Sequence, residues 1–131
     1  MLKTEIEDAL IGGILEIAKG AAESDLAGMD LSVFFSRTLD YIKSHWDENY
    51  AFLVAQPSLT YVTKWKEAIK YHFTLRFPKK MSAPNSGLIM EVVASGVIGA
   101  YTYWLQHPDE MDTQKLAGIS VQLLCAVDQI I

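Results

Sequence analysis

The sequence predicts an all-α fold, a bundle of five to six helices forming one domain over residues 1–131. Three observations predict it. Apolar residues recur at spacings of three and four along most of the chain, the period of a helix with a buried face. No stretch alternates apolar and polar residues for long enough to make a half-buried strand, and there is no repeat or low-complexity tract. Half of the 131 residues are hydrophobic, so the chain can close a core of its own and bury roughly two-thirds of its unfolded surface.

A first helix is read over residues 2–22 from Ile6, Leu10, Ile14, Ile17 and Ala21. Gly12 and Gly13 weaken it and mark a bend or a close contact. Small and acidic residues from Gly20 to Gly28 read as a connection. Asp30 or Ser32 caps a second helix, with Phe34, Phe35, Leu39, Tyr41 and Ile42 inside it, running to about Trp46. Asp47, Glu48 and Asn49 read as a polar break. A short apolar helix follows from Tyr50 to Ala55, bounded by Pro57. Ser58 caps a longer helix over residues 59–77, whose apolar positions include Val62, Trp65, Ile69 and Phe73. Lys64, Lys66, Glu67 and Lys70 are assigned to its wet side. Phe77 to Pro84 holds two prolines and basic residues and reads as a loop.

Asn85 or Ser86 caps the central helix, over residues 87–106. Its apolar residues, from Leu88 to Leu105, are too dense for a helix with one buried face, so burial on more than one side is expected. Gly96, Gly99 and Ala100 form a small-residue patch that allows close approach of another helix. Pro108 ends the helix near Gln106, because proline disfavours helical geometry in the residue before it. Asp112 or Thr113 then starts the last helix, over residues 113–130, with Leu116, Ile119, Leu123, Leu124 and Val127 as its apolar positions. Two apolar helices joined by a short polar turn read as the core of an oligomer.

The run from Ala94 to Ala117, A-S-G-V-I-G-A-Y-T-Y-W-L-Q-H-P-D-E-M-D-T-Q-K-L-A, resembles the C-terminal half of TetR-type transcriptional regulators. The last two long helices of that family commonly carry a small-residue run, a Trp before the break and an L-A pair in the next helix. The resemblance extends more weakly back to about Ser32. It implies a TetR C-terminal-domain-like fold and a homodimer in which the last two helices pack on those of a partner. Val92, Gly96, Gly99, Tyr103, Leu116, Ile119, Leu123 and Val127 are the interface candidates. It also implies an effector cavity enclosed by the earlier helices, with Tyr41, Phe52, Tyr61, Trp65 and Tyr101 as the candidate walls for a small apolar or aromatic effector. Aromatic walls with a few polar groups suit such pockets, and equally well fill ordinary cores. Effector binding would shift the population of helix arrangements. The alternative is a free-standing helical dimerisation protein that binds no ligand.

Several function classes are disfavoured. DNA binding in the family belongs to an N-terminal helix-turn-helix module, and no such pair of short helices is found before Asp30. The net charge of -5 opposes contact with a phosphate backbone, and Arg76, Lys79 and Lys80 are the only basic cluster. The lone Cys125 rules out an internal disulfide and reads as a buried small hydrophobe. Charges at Lys3, Glu5, Glu7 and Asp8 interrupt any signal peptide, and no uninterrupted apolar run approaches a membrane span, so a cytoplasmic location is expected. His45 and His107 each lie near acids but lack metal-site spacing, so no metal and no cofactor is assigned. Ser95-Gly96 follows no strand and is no nucleophile elbow, and no catalytic constellation is found. Glu91, an acid inside the apolar helix, is assigned to a Lys or Arg across the dimer interface.

Overall fold

The computed structural model describes residues 2–24, 31–76 and 82–130, with the side chains at 18, 20–24, 31–34, 75–76 and 124–130 outside that description. Six α-helices are seen among the described residues, and no strand. They are α1 (Leu2–Ser24), α2 (Leu31–Ser44), α3 (Trp46–Tyr50), α4 (Leu59–Arg76), α5 (Ser86–Gln106) and α6 (Thr113–Ile130), with a π-helical turn, Ala51–Ala55, after α3. The expectations for Asp30, Phe34, Lys79, Lys80, Cys125 and Val127 lie outside the described residues or side chains.

Helix ends follow from local chemistry. The Ser58 hydroxyl accepts the Tyr61 N–H at 3.2 Å and its carbonyl accepts the Val62 N–H, which caps α4. The Asp112 carboxylate accepts the Lys115 N–H at 2.7 Å and caps α6 in the same way. Asn85 precedes α5 with φ at 68°, a left-handed conformation that asparagine tolerates, but its side chain makes no capping bond.

Two readings of local structure change. Asp47, Glu48 and Asn49 form no break; they lie within α3, and α2 stops at Ser44. The two acids occupy the first turn of α3, where the helix dipole favours negative charge. Asn49 is buried, donates to the His45 carbonyl at 3.0 Å and accepts the Tyr61 hydroxyl at 2.6 Å. Polarity here is satisfied inside the fold rather than by water. The short apolar helix after it is a π-turn, in which Gln56 N–H reaches the Ala51 carbonyl at 2.9 Å.

α1 packs on α2 and α4, α4 on α5, and α6 more on α2 than on α5, its neighbour in sequence. Gly13 makes the α1–α2 approach possible, because a Cβ there would fall inside the Tyr41 ring. The core runs through all of them, with Leu10, Ile14, Phe35, Leu39, Trp65, Met90, Val97 and Trp104 among its members.

α5 buries a single face within this chain: Met90, Val93, Ala94, Val97, Ile98, Tyr101, Trp104 and Leu105. The other face, apolar as well, stays exposed. By length and composition α5 is also the one described helix that could cross a membrane, although Glu91 interrupts its apolar run; 44% of the qualifying window is buried inside the chain.

Candidate functional site

The candidate ligand residues are brought together in part. Phe52, Tyr61, Trp65 and Tyr101 form a file of rings, with centroids 5.3, 5.6 and 5.4 Å apart in that order. These are ordinary tilted and edge-on aromatic contacts. Tyr41 is engaged elsewhere: its hydroxyl donates to the Leu10 carbonyl at 3.1 Å and its ring packs by His45. Tyr61, Trp65 and Tyr101 are fully buried, and burial pushes both phenols well above their usual range.

These rings fill their space. The cavity bordered by Trp65 and Tyr101, with Ile14, Phe35, Phe73 and Val97, measures about 10 Å³. That holds one water at most, and its lining is apolar. A pocket for a small effector is on the order of 300 Å³ or more. As they stand, Tyr61, Trp65 and Tyr101 belong to the packed core, and Tyr41 and Phe52 are partly buried against it.

Glu7 is a buried acid that the sequence reading named only as one of the charges interrupting a signal peptide. It accepts the Ser58 hydroxyl at 2.5 Å and the Thr60 hydroxyl at 3.0 Å, and Lys64 lies 3.6 Å away. Burial alone would raise its pKa, but the two hydroxyls and then Lys64 outweigh it, so the carboxyl titrates below its usual range. The missed signal was helical spacing, since Glu7 lies three and seven residues before the buried Leu10 and Ile14. Glu91 is also reassigned. Its partners belong to this chain, Lys66 at 3.2 Å and Lys70 at 2.8 Å, both on α4 rather than on a partner. Bonds from Lys70 and then Lys66 hold its carboxyl below the usual range. Lys64, Lys66 and Lys70 therefore border water but are each tied to a neighbouring helix.

The interface candidates divide differently. Leu116 is buried in the chain's own core, because α6 turns that side toward the bundle. Val92, Gly96, Gly99 and Tyr103 of α5, and Ile119 and Leu123 of α6, are exposed. Val92 is 65% exposed and Leu88, one turn before it, 69%. Taken with Ser95 and Gln106, the most exposed positions of α5 from Leu88 to Gln106 are uncharged, and Glu91, its side chain 45% exposed, is paired with Lys66 and Lys70 of α4. Among the described residues, a Cβ at Gly96 or Gly99 would meet nothing within 4 Å, as is also so at Gly12, Gly87 and Gly118. Tyr103 is held at one end of this face, its hydroxyl bonded to Glu110 at 2.7 Å and its ring stacked on His107 at 4.2 Å.

Beside this face α4 and α5 leave an open groove of about 420 Å³. Val62 and Lys66 line it from α4, and Ser95, Ile98, Gly99, Thr102, Tyr103 and Gln106 from α5. Among the described residues no cluster of three His, Cys, Asp or Glu is placed to hold a metal ion. No family model, curated protein or solved structure matches this chain.

Proposed function

We propose that this chain is a cytoplasmic homodimerisation domain of the kind TetR-type regulators carry, with a second copy docking on the outer face of α5 and α6. The observation that carries the reading is Gly96 and Gly99. Glycine within a helix costs about 1 kcal/mol relative to alanine. At these two positions nothing among the described residues needs the missing side chain. A helix of another molecule lying across them would. Charge supports a second copy as that molecule. Two chains of net charge -5 repel over most of their surfaces, but a face whose most exposed positions are uncharged, with Glu91 neutralised by two lysines, can meet itself.

The packed interior favours the form of this reading in which no effector occupies the aromatic core. Contact with DNA would belong to a helix-turn-helix module that these residues do not contain, and no catalytic role is proposed.

The test is Gly99→Leu, read twice. Leucine is the better helix former, so the isolated chain should gain roughly 0.5–1 kcal/mol against urea. Bulk at the crossing should weaken the dimer in sedimentation over a range of concentrations. Tyr71→Ala, on another side of α4, should leave association unchanged. A wild-type chain that stays monomeric, or a Gly99→Leu dimer as tight as wild type, sinks the reading.

A further inference from the structure

We infer that the groove between α4 and α5 binds a small amphipathic anion, a carboxylate on a short apolar chain, and that its occupation dissociates the dimer. The site stands on the groove itself; only the dissociation rests on the homodimer reading.

Size directs a ligand to this groove. The space beside Trp65 and Tyr101 is about 10 Å³, whereas the groove is about 420 Å³, within the range of roughly 300–1,000 Å³ that small-molecule sites occupy. Its lining sets the chemistry. Val62, Ile98 and the Tyr103 ring supply apolar wall, while Ser95, Gln106 and Lys66 supply hydrogen-bond donors. No carboxylate is among its lining residues, and the two acids bonded to them, Glu91 on Lys66 and Glu110 on the Tyr103 hydroxyl, are each paired.

Lys66 can be released without removing the last counter-charge of Glu91. Glu91 is held by two ammonium groups, Lys66 on Oε1 and Lys70 on Oε2. When Lys66 turns to a ligand carboxylate, Glu91 keeps Lys70, so no carboxylate is left unpaired. The moving charge is partly exposed, which keeps its desolvation small. Ligand and partner then compete directly. Gly99 and Tyr103 belong both to the groove lining and to the exposed face on which the second copy docks. A chain lying over Gly99 takes the space that a close-packed helix needs. By linkage, the ligand weakens the dimer by the same factor by which the dimer weakens the ligand.

Octanoate is the probe and octanol its neutral counterpart. Calorimetry on the full chain should show saturable octanoate binding, roughly tenfold weaker for octanol and for Lys66→Met. Glu91→Gln, which frees Lys66, should tighten it. Val92→Glu, on the dimer face but outside the groove, supplies a monomer and should bind octanoate at least as well as wild type. Sedimentation should show the wild-type dimer falling as octanoate is added. No saturable binding, equal binding of octanoate and octanol, or indifference to Lys66→Met overturns the site. A wild-type chain that is monomeric yet binds octanoate through Lys66 overturns the homodimer reading and leaves the site in place. A dimer constant unmoved at saturating octanoate overturns the coupling.

Discussion

Glu7 shows what one side chain does when its partners come from another helix. The carboxylate on α1 meets two hydroxyls at the start of α4, Ser58 and Thr60, with Lys64 one turn further on. Ser58 serves twice, capping α4 through the Tyr61 N–H while donating to Glu7. Because the folded pKa of Glu7 is lowered, its stabilisation is fully present above the unfolded value of 4.5. It is lost as pH falls through the lower, folded value. Urea unfolding followed from neutral pH downward should therefore show wild-type stability falling below about pH 4.5. Glu7→Gln should start less stable at neutral pH and fall less steeply in acid. Identical pH slopes for the two proteins would show that Glu7 does not carry the effect.

At the scale of elements, helix contacts are set by where side chains are missing as much as by where they pack. Gly13 lets α1 close on Tyr41 of α2, and Tyr41 in turn donates to the Leu10 carbonyl. Gly13→Ala puts a methyl group into the phenol, so the ring must move and lose that bond. The expected cost is roughly 1–3 kcal/mol in urea unfolding. In a Tyr41→Ala background the same change should cost much less, because the obstacle is gone and alanine is the better helix former. Additive effects in that double-mutant cycle would place the clash elsewhere. Gly99 is the opposite case. Among the described residues nothing lies within 4 Å of where its Cβ would stand, so no described neighbour requires its small size.

For the molecule as a whole, the deciding fact is how little space the described aromatic residues leave around Trp65. Trp65 touches Tyr61 on one side and Tyr101 on the other, and the space left beside it is about 10 Å³. Trp65→Ala should therefore cost the full amount for a packed tryptophan, about 3–5 kcal/mol. A much smaller loss in urea unfolding would mean that the ring already borders open space, and would return the effector to the core. The small space beside Trp65 is why the proposed dimer and ligand sites are placed on the surface, at the outer side of α5 and the groove beside it.

The sequence by itself determined the helices and most of their ends. Ser58 and Asp112 cap where capping chemistry places them, and α5 stops before Pro108, because caps and prolines act on backbone groups a few residues away. It also determined that α5 has more apolar surface than one face can hold. Only the tertiary structure decided which helix meets which. It set α6 on α2, gave Glu91 two lysines of its own chain, and buried Leu116 rather than leaving it for a partner. The physical reason is separation along the chain. Periodicity fixes the face a residue occupies, but Glu7 and Ser58 are 51 residues apart, and no local pattern records that they touch. Nor does ring composition tell a pocket wall from a core, since the difference between them is the space that remains once distant helices have closed.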